Sequence, residues 1–250
     1  MRPFLVCCVL LVGFGAAKVP LEQQIQTSER HLNFGQLPLS IDLRQQLGQL
    51  AFAAALSGFR AIVADFVFIQ AHVAWEQTEW GRVLLLFREA TTLQPHAIVF
   101  WDMAAWHMGW NASTAALNDP SQPQFGLRLR AQRQYLDIAR DFLRRGIQNN
   151  PARPQLYESM ARLYKEKYQD HGTAAEYYAK AARLPGAPAY LRRFAAYELS
   201  YCEGREQEAY DALRRLYHES EQERLPTLIR RLKFLENKLN IEQDQRIPER

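Results

Sequence analysis

One spacing of small, aromatic and turn-forming residues recurs along the sequence. In each copy a small residue is followed four positions later by an aromatic residue or leucine, three positions further by a small residue, and then by proline. The clearest copies are Val83, Phe87, Ala90 and Pro95; Ala139, Leu143, Gly146 and Pro151; and Ala174, Tyr178, Ala181 and Pro185. Positions i, i+4 and i+7 share one face of an α-helix, and proline is typical of a helix end. Repetition of such units predicts stacked helical hairpins, which usually bind other molecules rather than transform them.

Helical patterns can be followed along most of the chain. A first predicted helix opens at Ile41, and its apolar stripe consists of Leu47, Leu50, Ala51, Ala54 and Ala55. A second, over about 59–78, is apolar nearly all round, which predicts a central position in the core. A further helix is predicted over about 80–93, another begins near 97, and a long one ends at about 148. Four more are predicted over 154–169, 174–183, 189–202 and 206–219. No stretch of useful length alternates apolar and polar residues as a strand does, so the predicted fold class is all-α.

The last predicted helix has apolar residues on one side only. Its stripe is Leu228, Leu232, Leu235 and Leu239. A helix with one apolar edge and a polar outer face is typical of the capping element at the end of a helical stack. We therefore predict a helical-repeat domain over residues 41–240 with a C-terminal capping helix, followed by a polar tail over 241–250.

The first seventeen residues have the layout of an export signal. Arg2 precedes an unbroken apolar run from Phe4 to Phe14, and small residues precede Lys18. This run is short for a membrane-spanning helix, which needs about 20 residues. Residues 1–17 are therefore predicted to be a signal peptide cleaved after Ala17 or an uncleaved membrane anchor, the remaining alternative being a buried N-terminal strand or helix. The polar residues 18–40 are predicted to form a linker.

Composition and charge favour a folded protein with a solvated surface. The chain is 48% hydrophobic, and its formal net charge of +4 is unevenly spread. Residues 126–250 carry 24 basic and 18 acidic side chains, whereas residues 1–125 carry 7 and 9. Because acids and bases interleave in the basic half, we predict solvated helix surfaces rather than a nucleic-acid-binding role. Arginine outnumbers lysine by 25 to 6, which hints at a GC-rich genome and so at a bacterial source.

The recurring units resemble the tetratricopeptide repeat. Ala161 and Tyr164, followed by the copy that begins at Ala174, match a divergent repeat of that family, in which small residues lie where the two helices of a hairpin cross. The resemblance spans about residues 60–220. It departs from the family pattern at Val83 and in a predicted loop over 112–127. It implies a right-handed superhelix of stacked antiparallel helical hairpins, an α-solenoid whose partner is another protein or peptide.

The densest group of candidate site residues surrounds five tryptophans between positions 75 and 110. The candidates are Trp75, Trp80, Trp101, Asp102, Trp106, His107, Trp110 and Asn111. One interpretation is an aromatic-lined pocket for a peptide, glycan or ring-bearing ligand, bounded by the polar members of the group. The other is a large core held together by aromatic packing. Trp106 and Trp110 are four apart and are predicted to share one helix face.

Candidates for chemistry are sparse in the remaining sequence. His72 and Glu76 have a spacing that can bind a metal on a helix, Glu79 follows, and His107 could join them in space, but no second histidine completes the pattern. The sequence contains no phosphate-binding glycine loop and no nucleophile motif with a plausible partner. No catalytic residue, metal site or cofactor is therefore predicted.

These observations predict a non-enzymatic helical-repeat scaffold that binds a partner protein in a bacterial cell envelope. The compartment would be the periplasm, or the periplasmic side of the inner membrane with association through the N-terminal apolar segment. The docking surface would comprise the Trp75–Trp110 region and the arginine-rich helices after residue 126. The alternative is an exported binding protein that holds a small ligand or glycan in a tryptophan-rich pocket. An enzyme is a third hypothesis.

Overall fold

The computed structural model describes Gln49 and residues 58–248. The α-helices are α1 (Arg60–Glu76), α2 (Trp80–Leu93), α3 (Ile98–Trp106), α4 (Ser113–Leu117), α5 (Phe125–Asn149), α6 (Pro154–Leu163), α7 (His171–Ala182), α8 (Tyr190–Leu199), α9 (Glu206–Glu219) and α10 (Pro226–Lys238). Two π-helical turns, His107–Ala112 and Tyr164–Tyr168, continue α3 and α6, and short 3-10 turns occupy Glu221–Glu223 and Gln243–Gln245. Within the described residues there is no β-strand, which confirms the all-α prediction.

Several sequence predictions fall outside the part of the chain that the structure describes. These are the N-terminal signal or anchor over residues 1–17, the linker over 18–40 and, apart from the helical Gln49, the helix that opens at Ile41. Among the helices from α1 onward, none combines the length and apolar character needed to cross a membrane.

Most helices pack against the next one along the chain. The closest neighbours are α1 with α2, α3 and α4 with α5, α6 with α7, α7 with α8, and α9 with α10. Short connections join them, and two of these turns place a glycine, Gly186 or Gly204, at a positive φ. The core is consequently a succession of interfaces between neighbouring helices.

An alanine recurs at equivalent positions of successive units and is buried in each. Ala71, Ala105 and Ala161 lie 34 and then 56 positions apart, and each is at most 1% exposed. The second interval is longer because the connection through α4 and the long helix α5 is inserted there. We call this correspondence the repeat register. It places small side chains where neighbouring helices approach most closely, which packing at interaxial distances of about 8–10 Å requires.

The predicted proline stops coincide with the ends of helices. Helices α2, α5 and α7 end at Leu93, Asn149 and Ala182, shortly before Pro95, Pro151 and Pro185. The carbonyl of Pro95 accepts hydrogen bonds from Trp101 Nε1 and Asn150 Nδ2, both at 2.8 Å. The turn after α2 is thereby joined both to the next helix and to the end of α5.

The predicted loop over 112–127 is shorter in the structure than the sequence indicated. Helix α4 continues to Leu117 and α5 starts at Phe125, so the connection between them comprises residues 118–124. Ser113 stabilises this continuation, because its hydroxyl donates to the carbonyl of Gly109 in the preceding turn.

Helix α1 does not lie at the centre of the core, so this prediction is wrong. Its buried face is made of Ala64, Val67, Ala71 and Ala74. Three of its larger apolar side chains, Ile62, Phe66 and Ile69, are 64%, 57% and 58% exposed. The buried face is built from small residues because α2 packs closely against it.

The last helix, α10, has the one-sided stripe that was predicted. Leu228, Leu232 and Leu235 are fully buried and pack in one cluster with Leu213 and Tyr217 of α9. Arg231 on α10 donates to the hydroxyl and the carbonyl of Ser200 at the end of α8. Within the predicted polar tail, Ile247 is buried in the same cluster, and its N–H donates to the carboxylate of Glu236.

Candidate functional site

Trp106 and Trp110 form a stacked pair on the surface. Their ring centroids are 4.9 Å apart and the ring planes are inclined by only 16°. Trp106 is the last residue of α3, and Trp110 lies in the π-helical turn that follows. Because a π-helix has more than four residues per turn, side chains four positions apart lie nearly one above the other. The local backbone thus holds the two indoles parallel.

Cationic side chains of the next unit lie over this pair. The guanidinium carbon of Arg162 is 5.6 Å from the centroid of each indole ring, and Lys167 Nζ is 5.5 Å from that of Trp110. Trp110 Nε1 donates to the carboxylate of Glu166 at 2.9 Å. Cation–π contacts of this kind contribute roughly 0.5–1 kcal/mol each at exposed sites. They keep both indoles in fixed positions on the surface.

A small cavity opens beside the stacked pair. Its volume is about 150 Å³, and it is lined by Asp102, Met103, Ala105, Trp106, Trp110, Leu143, Ser159 and Arg162. The Ser159 hydroxyl donates to Asp102 Oδ1 at 2.5 Å, which joins α6 to α3 along this cavity. We refer to Asp102, Trp106, Trp110, Arg162 and Glu166 together as the tryptophan platform.

Trp101 is part of the core. It is only 1% exposed, its Nε1 is bonded to the carbonyl of Pro95, and its ring lies edge-on to Phe142 at 6.3 Å. Gly146 of α5 passes directly over it, since a Cβ at that position would lie 2.9 Å from the Cβ of Trp101. For this residue the structure supports the interpretation as aromatic packing.

His107 is also buried, and three aromatic rings surround its imidazole. The centroids of Trp75, Phe87 and His72 lie 5.2, 5.4 and 5.5 Å from that of the imidazole, which is 2% exposed. Asn111 Nδ2 lies 3.1 Å from His107 Nδ1, and His107 Nε2 has no hydrogen-bond partner among the described residues. Burial, and secondarily the neighbouring His72, lowers the pKa of His107 to about 4.

The eight sequence candidates therefore do not form one site. Asp102, Trp106 and Trp110 belong to the tryptophan platform, whereas Trp101 and His107 are in the interior. Trp75 and Asn111 pack around His107, with Trp75 still 37% exposed. Trp80 is half-buried at the first position of α2.

The histidines that were considered for metal binding do meet in space. His72 and His107 are in edge-to-face contact, and His72 Nδ1 is 3.0 Å from the carbonyl of Phe68. Within the described part of the chain, however, no group of three or more histidine, cysteine or acidic side chains is arranged to hold a metal ion.

Sequence reasoning did not identify the platform residues contributed by α6 and the turn after it. Arg162 and Glu166 lie 56 positions after Trp106 and Trp110, which is the interval of the repeat register. In helical-repeat proteins equivalent positions of adjacent repeats lie side by side, so this interval is the signal that could have paired them.

A second concavity lies among α7, α8 and α9, in the arginine-rich region. It encloses about 630 Å³, and its walls include Ala175, Ala179, Ala182, Ala195, Ala196 and Ala212. Two of the arginines around it are already in two-bond pairs with carboxylates, Arg192 with Glu219 and Arg205 with Glu208. Much of the positive charge here is thus compensated within the protein.

Comparison with known proteins adds no family to this description. The chain matches no protein-family model and no curated protein sequence.

Proposed function

We propose that this protein is a non-enzymatic helical-repeat scaffold that binds another protein through the tryptophan platform. The proposal includes the finer architecture, a tetratricopeptide-like right-handed superhelix of stacked antiparallel hairpins closed by α10. The repeat register supports that architecture, because residues 34 and 56 positions apart occupy equivalent buried sites. So does the packing of each helix on its neighbour.

The observation that carries the docking proposal is the stacked pair of Trp106, which is 38% exposed, and the half-buried Trp110, beneath Arg162. Tryptophan and arginine are enriched among the residues that contribute most to binding at protein interfaces. The indoles are already held in place by the hydrogen bond to Glu166 and by the cations above them. A partner would therefore bind a surface whose side chains lose little conformational freedom.

The size of the adjacent cavity favours a protein over a free ligand. Pockets for small ligands usually measure roughly 300–1,000 Å³. At about 150 Å³, the cavity beside Asp102 and Trp106 suits one side chain of a docked protein better than a whole glycan or cofactor. An apolar or aromatic side chain would fit against the indoles, beside the ion pair in which Arg162 Nε lies 3.8 Å from the carboxylate of Glu166.

Binding by platform variants tests this proposal. Peptides are first selected from a random display library against the full chain, and their dissociation constants are measured. The double substitution Trp106→Ala and Trp110→Ala is expected to weaken binding by about tenfold or more, because it removes the aromatic surface. Phe125→Ala is the matched control, because Phe125 is an aromatic residue that is 60% exposed on a different part of the surface.

Two results would contradict the proposal. One is undiminished peptide binding by the double variant. The other is quenching of tryptophan fluorescence by oligosaccharides or small aromatic compounds that displace the peptides, which would favour the ligand-binding alternative.

The envelope location is part of the same proposal and rests on the N-terminal sequence. The apolar run from Phe4 to Phe14 and the small residues before Lys18 support export. N-terminal sequencing of the protein from a bacterial host is expected to give a mature chain that starts at Lys18, or an intact chain in the membrane fraction. An intact Met1 in the cytosolic fraction would exclude export.

A further inference from the structure

The concavity among α7, α8 and α9 is not filled by any helix that the structure describes. Helices α7 and α9 both pack on α8 but make few contacts with each other, and a groove of about 630 Å³ lies between them. Sites that hold a ligand usually measure roughly 300–1,000 Å³. We call this concavity the alanine groove, after the alanines in its lining. Its size is that of a binding site, in contrast to the small cavity beside the tryptophan platform.

The uncharged side chains that line the alanine groove are apolar and mostly short. Ala196, Leu199 and Leu216 are 3%, 7% and 6% exposed and belong to the core beneath the groove. Ala179 of α7 and Ala212 of α9 are only half-buried. Because an alanine side chain is short, the backbone of a helix laid in the groove could come close to these residues.

Positive charge exceeds negative charge along the alanine groove. Its lining includes five basic and three acidic side chains. Two of the acids are held in the two-bond pairs with arginine described above. The other charged side chains of the lining are exposed and form no ion pair among the described residues: Glu176, Lys180, Arg183 and Arg215. Three bases against one acid leave positive charge that an acidic partner would complement.

The lining also indicates the conformation of such a partner. Peptides are commonly bound as an added strand at a sheet edge, as a polyproline helix on aromatic rings, or as an amphipathic helix in a groove. The described residues form no sheet, and no aromatic side chain lines the alanine groove. A helix in the groove is therefore the mode that fits this site.

We propose that the alanine groove binds an acidic amphipathic helix of a partner protein. The apolar face of that helix would lie on the alanines, and carboxylates beside this face would pair with Arg183 and Arg215. The planar guanidinium group suits this role because it can bind a carboxylate through two hydrogen bonds. The groove shares no lining residue with the tryptophan platform, so this site does not depend on whether the platform binds a protein.

Selected helical peptides test the proposal. A display library of amphipathic helices with varied charges is selected against the full chain. Peptides that keep their affinity for the Trp106→Ala, Trp110→Ala double variant bind outside the tryptophan platform, and among these we expect an excess of acidic sequences. The dissociation constant of such a peptide is expected to rise about tenfold or more when Arg183→Glu and Arg215→Glu are combined, and less steeply at high salt.

The matched control for this variant combines Arg130→Glu with Arg230→Glu. Both are exposed arginines outside the alanine groove, on α5 and α10, and their replacement changes the net charge of the protein by the same amount. This control is expected to change the dissociation constant by less than about threefold, because charges far from the site are screened by salt.

A second variant tests the groove without changing its charge. Ala179→Phe places a large side chain in the groove and is expected to weaken binding by about tenfold or more through overlap with the bound helix. Ala131→Phe is its control, because Ala131 is a half-buried helical alanine outside the groove. Thermal unfolding shows whether either protein has lost its fold, and the variant at the exposed Arg183 and Arg215 decides the question if Ala179→Phe has.

Three outcomes would overturn the proposal. One is that every selected peptide loses its affinity for the tryptophan double variant, which would leave the platform as the binding site of all of them. Another is that the remaining peptides bind the Arg183→Glu, Arg215→Glu protein as well as they bind its control. Displacement of the peptides by inorganic phosphate at constant ionic strength would identify a phosphate site instead of a site for a helix.

Discussion

At the scale of single residues, His107 shows how neighbouring rings determine the chemistry of one side chain. Its imidazole is enclosed by Trp75, Phe87 and His72, and one ring nitrogen has no hydrogen-bond partner among the described residues. Such a site disfavours the charged imidazolium, because burial penalises the charged form and the neighbouring His72 disfavours it further. The lowered pKa of His107, about 4, follows from this enclosure.

This pKa predicts a loss of stability in acid. Between pH 6.5 and about 4 the unfolded chain binds a proton at His107 that the folded protein does not, so stability falls as the pH decreases through that interval. Between pH 7 and pH 5 the loss from this residue should be about 2 kcal/mol. His107→Leu should reduce the pH dependence of the free energy of unfolding by that amount, as measured by urea denaturation at the two pH values.

The control for this prediction is Leu213→Val, which alters the core at α9 without removing a titratable group. It should leave the pH dependence as it is in the unmodified protein. The same slope for the His107→Leu protein and the unmodified protein would show that His107 is not the group responsible.

At the scale of secondary-structure elements, the two π-helical turns have a common effect. Each contains or adjoins a pair of aromatic residues four positions apart, Trp106 with Trp110 and Tyr164 with Tyr168. The wider turn brings these rings together. The sequence predicted that Trp106 and Trp110 share a face, and the structure adds that their ring planes are inclined by only 16°.

Close approach between α3 and α5 makes Gly146 a sensitive position. A Cβ there would lie 2.9 Å from Trp101 Cβ and 3.0 Å from its Cγ, whereas a Cβ on Gly126 of the same helix would contact nothing within 4 Å. Gly146→Ala should lower the free energy of unfolding by about 1–3 kcal/mol through overpacking. Gly126→Ala should leave it unchanged or raise it by up to about 1 kcal/mol, because alanine favours helix formation.

Thermal or urea unfolding of these two variants provides the measurement. Because both substitutions lie in α5, they change the composition of the same helix in the same way. A Gly146→Ala protein as stable as the Gly126→Ala protein would indicate that α3 and α5 are further apart than the structure shows.

At the scale of the whole molecule, stability is distributed over a series of interfaces between neighbouring helices. Helices α5 and α6 have neighbours on both sides along the chain, whereas no later helix follows α10 among the described residues. Contacts made mainly between adjacent helices, with some reaching one helix further, allow the ends of such an array to open while the middle remains folded.

The rate of amide hydrogen exchange should therefore increase from the middle helices toward the last helix. We expect the slowest exchange in α5 and α6 and faster exchange in α10, although Leu228, Leu232 and Leu235 are fully buried in the last helix. Mass spectrometry of peptides from these helices measures the gradient. One common exchange rate across all helices would contradict it and indicate a single cooperative unit.

The packing of these helices depends on a few ion pairs and hydrogen bonds between polar side chains as well as on apolar contacts. Glu198 of α8 is 2% exposed, and its carboxylate contacts both Lys165 Nζ at 3.0 Å and His171 Nδ1 at 2.7 Å. It joins three successive elements at one point. The sequence offered no signal for this tie, because its members are 27 and 33 positions apart and none belongs to the recurring spacing.

The helical character and the helix ends near Pro95, Pro151 and Pro185 were determined by the sequence alone. Both depend on local periodicity and on the missing N–H of proline, which act within a few residues along the chain. The local pattern also contained the Trp106–Trp110 pair.

Only the tertiary structure decided which candidates lie on the surface and what completes their site. The burial of Trp101 and His107 depends on contacts with Phe142 and Phe87, and the platform needs Arg162 and Glu166 from a unit 56 positions further on. The exposed face of α1 was likewise unexpected, because apolar content does not specify which side a neighbouring helix will cover. These features arise from long-range packing, where the distance between side chains is set by how helices stack and not by their separation along the chain.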